Sequence, residues 1–535
     1  MPESTPPAPP GPPPARHPSV LPGIVIGVLV LALVVAGAVG VVRLRDNSEP
    51  SGPGSTPTST QSYRPAGRLP GTDPKLAAYY HQKLAWSACN GSDQCATMKV
   101  PLDYADPSGK AIDLKLVKVP ASGNKVGSLV VNPGGPGGSG IDYAKAGSAQ
   151  WPSQITSSFD LVGFDPRGVG LSTPLRCAGT AQIDTLVASD PDPDTAAERT
   201  RMDQLVHAFG EGCLQHSGNL ARHMSTVEVA RDMDVLRQLL GEPKLTYFGA
   251  SYGTLIGATY ANLFPTHVGR LVLDGAIDPA LSNAQISLAQ GHGFEVALRA
   301  YVQDCVDRGS CILGSTLDEG TKRIRAFLDS VERQPLPTNG ARQLSAGTAL
   351  VGIFLPLYVK KYWPILTAAL GQAMNDHNGS ALLSLADAYT SRGPDGYTDN
   401  STAALYAVNC LDHDDYVPTS QVPSHYAQFL KASPTFGRTF AYSLSSCSAW
   451  PVHSGKATKA IHAKGAPPIV VVGTTRDPAT PLVWAQGLAR ELDSGTLVTR
   501  DGDGHTGYNQ GNSCVDDAVN GYLVKGVVPK DGLMC

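Results

Sequence analysis

Charge is what this sequence has little of. Lys, Arg, Asp and Glu supply 16% of its 535 residues, against about 25% in an average soluble chain. There is no basic stripe and no run of like charges, and the formal net charge is −4, so no nucleic acid is expected as a partner. CxxC pairs are also absent and the ten cysteines are dispersed, which argues against zinc. No metal or cofactor is expected. What is present is apolar: the 42% hydrophobic share is too high for bulk disorder, and a chain of this length can bury a large core.

Residues 19–42 carry no charge at all. At about 1.5 Å per residue such a helix crosses a hydrocarbon layer of about 30 Å. One reading is an uncleaved transmembrane helix that touches the membrane through residues 20–42. The other is a signal peptide with an apolar stretch at 24–35 and cleavage after Ala36-Gly37-Ala38. The apolar run continues past that site to Val42, which favours the anchor. Arg16 before the span and Arg43 and Arg45 after it lean against an exported C-terminus. The even cysteine count leans towards one. Joined as neighbours along the chain, the pairs are Cys89–Cys95, Cys177–Cys213, Cys305–Cys311, Cys410–Cys447 and Cys514–Cys535. The expected location is the cell membrane with an extracytoplasmic catalytic domain, or secretion if the segment is cleaved.

Residues 1–18 form a Pro-rich tail, 19–42 the anchor or signal segment, and 43–75 a flexible Ser/Thr/Pro/Gly stalk. Beyond them, short β-rich apolar runs at 112–119, 127–132, 159–165, 245–248, 270–274, 468–473 and 495–499 alternate with helical patterns such as 226–240. That rhythm predicts an α/β fold with a mostly parallel sheet covered on both faces. Residues 283–404 break it, being helical in pattern with no convincing strand. They read as a helical cap inserted between a first core part, 76–282, and a second, 405–535.

Gly249-Ala250-Ser251-Tyr252-Gly253 fits G-x-S-x-G, between a strand and a helix. This is the setting of a nucleophile elbow, a tight turn that exposes a serine hydroxyl. That hydroxyl needs a base, and the base needs an orienting acid. In such folds the order is Ser, acid, His. His505, in the loop after the last strand, is the best base, and Asp477, after the preceding strand, the best acid. Asp493, Asp501 and Asp503 are rivals, but they lie too near His505 or on the wrong element. A tetrahedral oxyanion needs preorganised N–H donors. One is the N–H of Tyr252. The other comes from the loop Asn132-Pro133-Gly134-Gly135-Pro136-Gly137-Gly138-Ser139-Gly140. No Gly-Lys-Ser/Thr follows this loop, so it is not read as a nucleotide cradle.

These segments, together with Asp165-Pro166-Arg167-Gly168-Val169-Gly170-Leu171-Ser172, Ala407-Val408-Asn409-Cys410-Leu411-Asp412 and Cys447-Ser448-Ala449-Trp450-Pro451, resemble the secreted tripeptidyl aminopeptidases. Those enzymes stand with the proline iminopeptidases in the α/β-hydrolase superfamily. The resemblance covers about residues 76–535, with a TAP-like C-terminal part. It implies an α/β-hydrolase fold, a triad of Ser251, Asp477 and His505, and Gly135 with Tyr252 as oxyanion donors. The chain departs from the usual pattern at Pro166, where the family carries Gln, and at Asn132-Pro133.

The function expected is an exported serine aminopeptidase of tripeptidyl type, acting through an acyl-enzyme on peptides with a free N-terminus. A carboxylesterase or lipase with the same triad is the alternative, and a non-catalytic surface binding module the third. Recognition of a free α-ammonium calls for a carboxylate, and Asp274, Asp278, Asp412 and Glu295 are all open to that role.

Overall fold

The computed structural model describes residues 74–453 and 460–535. The Pro-rich tail, the apolar segment 19–42 and the stalk up to residue 73 lie outside the described residues. Among the described residues no helix is long and apolar enough to cross a membrane.

A ten-stranded sheet organises the chain. Its strands are β1 (Ser87–Asn90), β2 (Asp93–Pro101), β3 (Ala111–Val119), β4 (Gly127–Asn132), β5 (Phe159–Phe164), β6 (Leu245–Ala250), β7 (Val268–Asp274), β8 (Ile469–Arg476), β9 (Gly495–Asp503) and β10 (Leu533–Met534). In space the order is β1-β2-β3-β5-β4-β6-β7-β8-β9-β10. The first three strands pair antiparallel with their neighbours. From β5 to β10 all pairs are parallel. This is the α/β-hydrolase architecture.

The parallel strands are covered on both faces, as apolar runs without polar alternation require. Every residue of β4 and β5 is buried. Successive side chains point to opposite faces. Val130 and Val471 therefore join one core, with Met233 of the helix Thr226–Leu239 and Ile256 of the helix Tyr252–Leu263. Leu129, Val131, Val470 and Val472 join the other, with Trp151, Phe248 and Val519.

The helices that position the site are α1 (Gly140–Ala144), α2 (Thr226–Leu239), α3 (Tyr252–Leu263), α4 (Asn283–Asp307), α5 (Leu317–Arg333), α6 (Ala346–Leu357), α7 (Ser401–Asp412) and α8 (Leu482–Glu491). A third core, built from Phe294, Leu298, Ile324, Ile353 and Leu366, belongs to the helical layer between β7 and β8. It also takes in Val422, Phe429, Phe436 and Phe440, so the cap packing resumes after residue 404. By contrast α7, which straddles that position, packs Ala404, Ala407 and Leu411 into the sheet-side core. The ten cysteines pair as Cys89–Cys95, Cys177–Cys213, Cys305–Cys311, Cys410–Cys447 and Cys514–Cys535.

Candidate active site

Ser251 stands between β6 and α3 with φ 54° and ψ −126°, a conformation an L-residue holds only when its surroundings force it. The turn is tight enough that a Cβ on Gly249 would lie 2.4 Å from the Gly253 carbonyl oxygen. The Ser251 N–H donates to the Asp274 carbonyl at 2.8 Å, which ties the elbow to the end of β7.

Asp477 follows β8 and is buried. Its carboxylate accepts the main-chain N–H groups of Ala479 at 2.9 Å, Thr480 at 2.8 Å and Thr506 at 3.0 Å, and the Thr480 hydroxyl at 3.0 Å. His505, just past β9, places Nδ1 2.9 Å from both Asp477 oxygens. With Nδ1–H given to the carboxylate, Nε2 carries the lone pair. Among the described residues Nε2 is buried without a hydrogen-bond partner. Burial pulls the imidazole pKa down, but the Asp477 carboxylate more than offsets this, and the shift is upward, with Asp274 adding to it. The ring also meets the Tyr358 ring edge-on at 5.3 Å. Gly275, next to the residue that holds the elbow, lies against it: a Cβ there would stand 3.3 Å from His505 Cε1.

The glycine loop closes the other side. Gly134, at φ +93°, sits so close to the elbow that a Cβ would be 2.7 Å from the Tyr252 nitrogen. The Gly134 N–H is taken by Asn132 Oδ1 at 2.9 Å. Among the described residues no acceptor meets the N–H of Gly135 or of Tyr252, the first residue of α3. The arrangement presents a hydroxyl, an imidazole held by a buried carboxylate, and two unengaged amide donors near the elbow.

Residues 433–535 match the family model described as TAP-like protein. Serine protease Hip1 of Mycobacterium tuberculosis is 37% identical over 491 residues, covering 88% of this chain and 93% of that protein. A protein named carboxylesterase B from the same organism is 37% identical over 490 residues, covering 88% and 92%. The tripeptidyl aminopeptidase of Streptomyces lividans is 31% identical over 455 residues, covering 83% of each chain. The chain belongs to the TAP-like serine hydrolases of the α/β-hydrolase superfamily. It is an enzyme of that class.

The remaining acids of this TAP-like hydrolase are engaged elsewhere. Asp501 pairs with Arg476 at 2.8 Å, Asp503 with Arg476 at 2.5 Å and Lys360 at 2.6 Å, and Asp493 with His462 at 4.0 Å. All four acids open to an ammonium role have protein partners. Glu295 accepts the hydroxyls of Ser433 at 2.9 Å and Thr435 at 3.1 Å. Asp278 accepts the Ala280 N–H at 3.0 Å and packs on Gly487 of α8. Asp412 accepts the Thr226 N–H at 2.9 Å and the Thr226 hydroxyl, which also meets the Tyr252 hydroxyl at 2.5 Å. Asp274 accepts the N–H groups of Gly507 and Tyr508.

Among the described residues two clusters bring three possible ligand groups together: Asp103, His223 and Glu228, and Asp190, Asp192 and Glu332. Each is answered by an arginine, Arg167 at 3.5 Å from Glu228 and Arg325 at 3.6 Å from Asp192. Both read as ion-pair networks.

Several positioning contacts have no signature of their own in the chain. Asp165 accepts from the Ser139 hydroxyl at 2.6 Å, the Ile141 N–H at 3.3 Å and the Leu171 N–H at 2.8 Å, and so fixes the start of α1 behind the glycine loop. Arg167 of the same segment is fully buried and bidentate to Asp232, both bonds 2.8 Å. The departure at Pro166 therefore sits in a structural anchor. The cap contributes Tyr358, whose carbonyl accepts the His505 N–H at 2.8 Å.

Proposed function

We propose that this hydrolase is an aminopeptidase of tripeptidyl type, releasing short peptides from free N-termini through Ser251, His505 and Asp477. The observation that carries the reading is the imidazole, clamped at Nδ1 by Asp477 with a buried, unpartnered Nε2, together with a serine held in a strained turn whose N–H is tied to Asp274, the neighbour of the Gly275 that packs on the imidazole. Nε2 takes the proton as Ser251 Oγ attacks the scissile carbonyl. The oxyanion is received by the N–H groups of Tyr252 and Gly135. His505 then passes its proton to the departing amine, and water repeats the sequence on the acyl-enzyme. The relatives named serine protease Hip1 and tripeptidyl aminopeptidase support a peptide substrate.

The esterase reading is supported by the relative named carboxylesterase B and by the internal engagement of all four candidate ammonium acids. A tripeptidyl chromophore with a free N-terminus separates the two: it is cleaved while its acetylated form is not. Equal cleavage of both forms removes the aminopeptidase reading. Loss of fluorophosphonate labelling in Ser251→Ala is the expected result for the nucleophile, and persistent labelling there overturns the assignment of Ser251.

Export and membrane tethering through residues 20–42 belong to the same proposal. Five disulfides support an oxidising compartment. Sedimentation of the full chain with membranes, and its release when residues 1–45 are removed, tests the tether.

A further inference from the structure

Asp274 ends β7 and is buried. Oδ1 accepts the Gly507 N–H at 2.7 Å and Oδ2 the Tyr508 N–H at 2.9 Å. Its own carbonyl accepts the Ser251 N–H at 2.8 Å. One residue therefore holds both the nucleophile's elbow and the loop behind the imidazole.

That loop needs holding. Thr506 has φ 69°, an uncommon conformation for a β-branched residue that persists only under constraint. Each of four consecutive main-chain N–H groups has its own acceptor: His505 on Tyr358 O, Thr506 on Asp477 Oδ2, Gly507 on Asp274 Oδ1 and Tyr508 on Asp274 Oδ2. Two successive amides aimed at the two oxygens of one anion call for a carboxylate. An amide in its place turns an N–H against one of the two donors. The groups that face Asp274 are His505, Asp477, Arg500, Tyr143 and Tyr508. Of these His505 is the one whose basicity the proposed mechanism uses.

We propose that Asp274 is a positioning residue for His505, holding the 505–508 loop by its carboxylate and the elbow by its carbonyl so that base and nucleophile keep one geometry. The inference rests on the triad proposed above.

The test compares the full chain with Asp274→Asn in hydrolysis of p-nitrophenyl acetate across pH, with thermal unfolding as the check on folding. The expected result is a fall in kcat of about tenfold to a hundredfold, the scale of a small misplacement, with KM within about twofold. The acid limb of the kcat/KM profile moves to lower pH by about half a unit, because a negative charge near the imidazole is gone. A folded Asp274→Asn with unchanged kcat overturns the proposal. So does a loss of kcat with the acid limb unmoved, which is what a packing role gives. If the asparagine variant does not fold, Asp274→Ser removes the charge without adding an opposed N–H and is held to the same outcomes. Ser251→Ala and His505→Ala on the same ester test the underlying triad: if either retains wild-type turnover, the triad assignment fails, whatever Asp274 does.

Discussion

The main-chain N–H of His505 donates to the carbonyl of Tyr358 at 2.8 Å, so the imidazole loop is bonded directly to the cap. The Tyr358 ring packs edge-on against the imidazole, and Lys360, two residues on, pairs with Asp503 at 2.6 Å. Cap and base therefore form one mechanical unit. Tyr358→Ala, which removes the ring and loosens the strand of contacts, is expected to lower kcat about tenfold, the cost of a modest misalignment. Steady-state ester hydrolysis measures it; unchanged kcat would show that the cap contact is dispensable.

Thr480 gives its hydroxyl to Asp477 Oδ2 at 3.0 Å and lies 3.2 Å from His505 Nδ1. Thr480→Val keeps the shape and removes the donor. Leaving one carboxylate lone pair unmet costs about 1–3 kcal/mol, which predicts a drop in kcat of about tenfold with little change in KM. An unaffected kcat in that variant would mean the remaining donors suffice to orient the carboxylate.

The strained backbone at Ser251 makes a stability prediction. Glycine adopts a positive φ at no steric cost, so Ser251→Gly should be more stable than Ser251→Ala by about 1 kcal/mol. Both are expected to be inactive. Denaturant unfolding of the two variants decides it, and equal midpoints with equal slopes would argue that the turn is relaxed.

Buried acids set the pH dependence of stability. Burial pushes Asp274 up to about 6 and Asp412 up to about 7, against the hydrogen bonds each receives. A folded pKa above the unfolded value of about 3.9 means the native state binds the extra proton. The stabilising contribution is complete below about pH 4 and is lost as pH rises through 6 and 7. Thermal midpoints should therefore be higher at pH 5.5 than at pH 8. Asp234 runs the other way: burial raises it, but His267 and Arg237 outweigh that and bring it down to about 2, so its contribution is lost only in strong acid. A midpoint that rises from pH 5.5 to 8 contradicts this account.

The parallel strands β4 to β9 were legible because a strand buried on both faces must be an unbroken apolar run, as in Val130-Val131 of β4 and Val470-Val471-Val472 of β8. The short parallel strand β10, Leu533–Met534, beyond the run at 495–499, was not, because it is two residues long with Met534 exposed. The edge strands β1 and β2 were not: Asp93, Lys99 and exposed Asn90 interrupt their pattern, and their pairing is antiparallel at the rim of the sheet. Ser251, Asp477 and His505 each follow such a run and could be picked out on that ground. Tyr358, Thr480 and Asp274 could not be read as partners of His505. Tyr358 meets the loop through a main-chain carbonyl, which no residue type advertises. Asp274 reaches it only because β7 and β8 are neighbours in space. Arg167 and Asp232 are likewise joined by packing across 65 positions, with nothing local to mark the pair.

The pairing of β8 beside β7 also fixes an order of events in biosynthesis. The elbow and its serine leave the ribosome well before residue 469, while the carboxylate and imidazole of the proposed triad arrive only with β8 and β9. Until then a nascent chain displays a nucleophile with no base, and β7 waits for a partner that the whole cap separates from it. Long-range pairing of this kind is slow to form. With the triad proposed above, a chain released short of β8 is expected to lack both the acid and the base, so hydrolysis waits on the docking of β8 and β9.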